Sequence, residues 1–470
     1  MGQWKITAVH TQAAEKIYIR GEKRMGKEKI TDQAMYDFYG KMPLKRAIPL
    51  GLQHVLAMFL GNITPLLIVC GALEMDSSSK TMLIQNSMFI AGIATLIQLY
   101  PIWKIGSGLP VVMGTSSGFI GTAKVIGLAS GYGAILGASM IGALIEMVLG
   151  FFIKPLRKIF APVVTSLVVL SIGLSLLPVG IKYLGGGETN SLGFGHWKHL
   201  LVGFLVIVVI VVLKQFQGSF LSVSSILIGI IVGYIAAIFL GMVDFTQVKE
   251  AAWFAIPRPV MLIDGIGIKF VPSAIIAMAI MFIATAVETI GDTSAIVNGG
   301  LDREPTNEEL SGSVIADGFG SLIAAVFGVL PNTSFSQNVG LVAVTKVVNR
   351  FTIMTGAVFL VAMGFLPKLS ALFTVMPQSV LGGAAVIMFA MIIVSGLTSL
   401  QRLDLNGRNG LIIALALGLG VGIGNVPTVL DQMPQWVGDI FAQNGIIMTF
   451  VIATVLNLVL PKDKEEKGAE

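Results

Sequence analysis

The sequence predicts an all-α polytopic membrane protein of about fourteen transmembrane segments, organised as a seven-plus-seven inverted repeat. Three observations predict it. Of 470 residues, 54% are hydrophobic and only 12% charged, with a mean hydropathy of +0.85, so the chain lacks the charge for a water-exposed surface and takes lipid as its solvent. Apolar runs such as Leu200 to Leu213 recur at lengths that can cross about 30 Å of hydrocarbon. The 55 glycines exceed what a soluble helical bundle carries, whereas membrane helices pack on small residues and tolerate breaks that line cavities.

Taken in order, residues 1–46 are polar and carry ten Lys or Arg. They lack an apolar stretch followed by small residues, and read as a cytoplasmic N-terminal segment and not as a signal peptide. Apolar periodicity then places segments one to seven at 47–73, 81–102, 108–121, 131–153, 159–181, 199–217 and 219–241. Segments eight to fourteen follow at 270–290, 310–328, 331–346, 351–367, 377–398, 409–425 and 440–460, before a cytoplasmic tail at 461–470. With the N-terminus inside, most of the 31 Lys and Arg fall in cytoplasmic loops, so both termini are expected in the cytoplasm. Those loops also account for the net charge of +5, which therefore calls for no nucleic-acid partner. The one cysteine, Cys70, lies in an apolar segment and excludes an intrachain disulfide or a cysteine-rich metal site.

Segments 108–121 and 331–346 are too polar and too rich in Gly, Ser and Pro for ordinary spanning helices. Gly114-Thr115-Ser116-Ser117 in the first matches Asn332-Thr333-Ser334-Phe335 in the second at an offset of 218. Ala-Pro-Val-Val at 161–164 matches Met-Pro-Gln-Ser at 376–379 at an offset of 215. Seven segments per half is an odd number, so the second copy enters from the opposite face, and the paired broken segments mark a binding site near the bilayer midplane. Chance likeness between two Ser- and Gly-rich stretches is the plainer alternative.

Ionisable groups inside spans are costly to bury and are functional candidates. In Ala286-Val287-Glu288-Thr289-Ile290-Gly291-Asp292, Glu288 and Asp292 share one helix face a turn apart, and the crowding makes at least one a candidate proton carrier. In the alternative, Asp292 already belongs to a wet loop and Glu288 alone is buried. Gln337 and Asn338 each offer an amide donor and acceptor, suited to a planar heterocycle with alternating N–H and C=O edges. Structural bonds between helices are the other use of such amides. His54, beside Gln53 in the first segment, reads as hydrogen-bonded support. Asp317 in the ninth segment and Glu146 in the fourth are further buried acids whose partners the sequence leaves open. With no phosphate loop, metal-spaced His cluster or nucleophile triad, an enzyme is not expected.

The run Gln337-Asn338-Val339-Gly340, followed after four residues by Thr345-Lys346, resembles the signature of the nucleobase-ascorbate transporter family. Gln53-His54 and Glu288 with Gly291-Asp292 fit that family in order and separation, and the likeness covers nearly the whole chain after residue 45. It looks most like bacterial xanthine and uric acid permeases. The resemblance implies a substrate-carrying core (47–153 and 270–367) that moves against a gate (159–241 and 377–460), with short strands in segments three and ten. It further implies a homodimer in the lipid of the bacterial inner membrane, taking up a purine nucleobase by symport with a proton as coupling ion and no cofactor or metal.

By position, the resemblance makes Glu288 the acceptor of base N–H groups and Gln337 the reader of a neighbouring amide edge, with Asn338 holding the strand and Glu288 in place and counted among the substrate-binding residues. Gly61, Ser117 and Val339 would line the pocket, His54 would support the core, and Asp292 and Asp317 would be polar or proton-linked partners. Uracil carriers resemble Glu-Asn at the first motif position and purine carriers Gln-Asn, so Gln337 implies a purine. Some xanthine carriers have Asn where this chain has Gly118, which leaves the choice among oxopurines open. The competing readings are a uracil or broad nucleobase carrier and an anion transporter on the related fold; the buried Glu288 and the lack of a repeated basic pore lining argue against an anion path.

Overall fold

The computed structural model describes residues 38–461 except 41, 156–160, 188, 190–192, 217–219, 261–265, 402, 406 and 442–444. Most of the basic N-terminal segment and nearly all of the tail therefore lie outside the described residues. The chain is mostly helical. Its first half holds α1 (Leu44–Ala72), α2 (Ser77–Leu99), the strand β1 (Met113–Thr115), α3 (Ile120–Ser130), α4 (Tyr132–Phe151), α5 (Pro162–Leu184), α6 (Trp197–Lys214) and α7 (Ser225–Phe239). The second holds α8 (Pro272–Leu301), α9 (Asn307–Val326), the strand β2 (Asn332–Ser334), α10 (Ser336–Thr345), α11 (Arg350–Met363), α12 (Gln378–Leu400), α13 (Gly407–Asn425) and α14 (Gly445–Val459). Among the described residues, nine helices are long and apolar enough to cross a membrane, or ten if α11 and Pro367–Thr374, bent by 82°, form one broken span. Of the remainder, α7 and α14 are shorter apolar helices, and α3 and α10 are short helices that follow strands.

Three boundaries differ from the sequence reading, each for a local reason. The third segment is not 108–121: its strand starts at Met113, a turn begins where the Ser116 hydroxyl accepts the Gly118 N–H at 3.2 Å, and the apolar residues beyond it form α3. Gly131, at φ 85°, ends that helix, a conformation open to glycine at little cost. The eighth segment does not stop at 290. α8 continues because its later polar residues find partners, as in the 2.7 Å bond between the Thr293 and Ser313 hydroxyls. Asp292 thus lies in a helix and is buried, which removes the wet-loop alternative. The eleventh segment breaks before Pro367, whose ring cannot continue the preceding helix.

The helix ends follow ordinary capping chemistry. Asp76 accepts the Ser79 N–H at 2.8 Å at the start of α2. Hydrogen bonds from the Ser79 hydroxyl and backbone hold its carboxyl below the usual range. The stabilisation is therefore full above the ordinary carboxylate range and is lost as pH falls through the lowered value. Asp76→Ala is expected to cost about 1 kcal/mol, read as a small fall in melting temperature of the detergent-solubilised protein with unchanged transport.

β1 and β2 pair antiparallel, with Met113 opposite Ser334, Gly114 opposite Thr333 and Thr115 opposite Asn332. The ladder extends at both ends, with Ser116 N donating to Pro331 O at 2.8 Å and Phe335 N to Val112 O at 3.0 Å. A two-stranded sheet exposes two edges, which hydrocarbon does not tolerate. Side chains cover them: Thr95 of α2 accepts Met113 N at 2.9 Å, Asn62 of α1 accepts Thr115 N at 2.8 Å, and Ser321 of α9 accepts Asn332 N at 2.9 Å. These contacts fix the strands against three helices. Around them, α1, α2, α4, α8, α9 and α11 pack mainly on one another, and α5, α6, α7, α12, α13 and α14 do likewise. Small residues permit the close approach; a Cβ at Gly173 of α5 would lie 2.8 Å from the Ile393 nitrogen of α12.

Candidate functional site

The strand crossing lies where the two helix sets meet. A small cleft of about 30 Å³ opens there, bounded by residues 115–118, residues 333–337 and Glu288 on one side and by Ile172 of α5 and Ile392 of α12 on the other. The N-terminus of α10 starts at this cleft and no side chain caps it. Its leading N–H groups give the positive end of a helix dipole to an electronegative group.

Glu288 and Gln337 reach the cleft together. Glu288 is 8% exposed, and its Oε2 has no hydrogen-bond partner. One turn further along α8, Asp292 is engaged differently: Ser334 Oγ donates to it at 2.8 Å and Ser336 Oγ at 3.0 Å. It ties α8 to the junction of β2 and α10. Asp317 of α9 similarly accepts from Thr289 Oγ1, and from Thr333 Oγ1 at 3.2 Å, joining α9, α8 and β2. Asn338 turns away from the cleft, donating through Nδ2 to His54 O at 2.9 Å and lying 3.2 Å from His54 Nδ1. His54, buried in α1, is thus the anchor for α10.

The Phe335 ring fills the space between α1 and β1. A Cβ on Gly61 would lie 2.5 Å from that ring, and one on Gly114 would lie 2.7 Å from it. Of the anticipated residues, Glu288, Gln337 and Ser117 line the cleft. Gly61, Val339, Asn338, His54, Asp292 and Asp317 stand one layer behind it. The Val339 N–H, for example, donates to Phe335 O at 3.2 Å. The other lining residues of the two broken segments lie in or beside the runs that the sequence singles out. Ile172 and Ile392 carried no signal, because each is one more apolar residue in an apolar helix. Among the described residues, no three His, Cys, Asp or Glu side chains converge to hold a metal ion.

The sequence profile of the permease family Xan_ur_permease matches residues 45–429. The chain belongs to this permease family. The match agrees with the resemblance in α1, α8 and α10 to the nucleobase-ascorbate transporters, and makes the protein a transporter and not an enzyme. The permease is similar to the xanthine permease of Bacillus subtilis (strain 168), 37% identical over 418 residues, covering 88% of this chain and 93% of that protein. It is similar also to the xanthine permease XanP of Escherichia coli (strain K12), 34% identical over 450 residues, covering 92% and 96%. The nucleobase transporter PlUacP of Paenibacillus larvae is 34% identical over 429 residues, covering 91% and 97%.

Two solved structures share the permease's fold. The murine Slc26a9 anion transporter in its inward-facing state matches with TM-score 0.61 at 11% identity, over 88% of this chain and 68% of that one. The transmembrane domain of the cyanobacterial bicarbonate transporter BicA matches with TM-score 0.54 at 15% identity, over 90% and 100%. At such identities the likeness speaks for the fold alone.

Proposed function

We propose that this permease takes up an oxopurine, xanthine or uric acid, across the bacterial cytoplasmic membrane by proton symport. The observation that carries the reading is that Glu288 and Gln337 face one cleft: a carboxylate that only accepts beside an amide that both donates and accepts. That pair suits the N–H and C=O edges of a planar base. The xanthine and nucleobase carriers among its relatives support the same substrate class.

The two walls of the cleft suit a core (47–153 and 270–367) that shifts against a gate (159–241 and 377–460), exposing the site to each side in turn. The antiparallel crossing of β1 and β2 suits two copies inserted with opposite sense. A homodimer is the proposed working unit, to be read from the mass of the solubilised protein. An anion path on this shared fold is the second reading; Slc26a9 and BicA are, by their titles, an anion transporter and a bicarbonate transporter. Against it, no Lys, Arg or His among the described residues lines the cleft to neutralise an inorganic anion.

The discriminating experiment is uptake of radiolabelled xanthine, urate, uracil and sulfate into cells lacking their own carriers. Xanthine or urate uptake that collapses with the proton gradient is expected; sulfate uptake without purine uptake would reject the proposal. Pocket width is tested at Gly118. A Cβ there would sit 3.4 Å from Ile172 Cδ1, an ordinary contact, so Gly118→Ala is expected to be tolerated. Gly118→Asn fills the cleft further and is expected to weaken uptake of the larger urate more than that of xanthine in competition assays.

A further inference from the structure

Glu146 of α4 is fully buried, and neither of its carboxylate oxygens has a hydrogen-bond partner. Its position explains the burial. Gly142, Glu146 and Gly150 follow one another at four-residue spacing and so lie along one helix face. That face is pressed against α8 and α9: a Cβ on Gly142 would collide with the Phe282 ring, and one on Gly150 would lie 2.5 Å from Ile315. A Cβ on Gly318, next to Asp317, would in turn lie 2.7 Å from the Ala143 carbonyl of α4. The same contact, with Met147 at 2.8 Å from a Cβ on Gly318, brings Asp317 of α9 beside the Glu146 stretch of α4, and among the described residues the ionisable neighbours of Glu146 include the acids Asp317 and Glu288. Asp317 commits its Oδ2 to Thr289 and Thr333, while its Oδ1 has no partner.

An ionised carboxylate in such a place would lack every partner that makes buried charge tolerable. A carboxyl group retained in an apolar interface, where an apolar residue would pack at lower cost, is a functional candidate. A proton is the ligand that lets this carboxyl stay buried with neither oxygen partnered, because it removes the charge. We propose that Glu146 stores the coupling proton and exchanges it with Asp317 Oδ1. In the exchange an O–H bond on one carboxyl breaks as one on the other forms, with no net change of charge. Through Thr289, Thr333 and β2, Asp317 passes the change to the wall of the substrate cleft. The inference rests on the proton-symport reading above and adds a residue to it outside the cleft.

The test uses purified protein in proteoliposomes, comparing wild type, Glu146→Gln and Glu146→Asp. Substrate counterflow needs no net proton movement, whereas accumulation against a gradient does; a one-proton symporter sustains about a tenfold gradient per pH unit. Glu146→Gln is expected to keep counterflow and lose proton-driven accumulation, while Glu146→Asp retains both. The infrared band of a protonated carboxyl that responds to external pH should vanish in Glu146→Gln. Wild-type accumulation by Glu146→Gln, or loss of counterflow in both variants at normal membrane abundance, would overturn the assignment. If wild-type accumulation itself ignores the proton gradient, the symport reading fails and this inference falls with it.

Discussion

Glu288→Gln is expected to abolish uptake while the protein reaches the membrane in normal amount. The substitution keeps the side chain's size, so packing in α8 is preserved, but it removes the negative acceptor. A hydrogen bond to a charged group contributes about 1.5–3 kcal/mol, or roughly ten- to 150-fold in affinity. The neutral amide also cannot take up and release a proton. Radiolabelled xanthine uptake, normalised to the protein in the membrane, checks the result, and wild-type uptake would remove Glu288 from the site. Asp292→Asn provides the contrast. Its carboxylate holds Ser334 and Ser336 and does not line the cleft, so its replacement should loosen the β2–α10 junction and leave residual binding.

The second large effect belongs to Gln337→Glu. An amide can donate to a carbonyl edge of an oxopurine, whereas a carboxylate can only accept and would stand beside Glu288 as a second negative group. A mismatched bond in a buried site costs about 1–3 kcal/mol, or roughly five- to 150-fold in affinity. Xanthine and urate affinity are expected to fall by that factor, measured by competition against labelled substrate. Unchanged affinity for every purine would show that Gln337 makes no specific contact.

What could be read from the sequence, and what could not, follows from the range of the interactions. Glu288, Gln337 and Asn338 stood out because a polar group in an apolar run has a cost visible without coordinates. The role of Asp292 was ambiguous because its hydroxyl partners, Ser334 and Ser336, lie on another broken segment. Hydropathy put the third segment too early, since a three-residue strand and the short helix after it leave no period long enough to separate them. The inward turn of Asn338 toward His54 depends on how α10 packs against α1. Ile172 and Ile392 become site residues only when α5 and α12 meet the broken segments.

The crossing of β1 and β2 also constrains how the protein is made. Met113 emerges from the ribosome about 220 residues before its partner Ser334. At about 5–20 residues per second, β1 waits roughly 10–45 s for the strand that completes its ladder. Through that interval, Thr95 and Asn62 can cover its outer edge at Met113 N and Thr115 N, while the Ser116 N–H and Val112 carbonyl on the edge that will face β2 await Pro331 and Phe335. Hydrocarbon would leave any remainder unsatisfied at several kcal/mol each. Biogenesis therefore has a vulnerable window, in which the nascent first half must be shielded from lipid and from membrane proteases until the second half arrives.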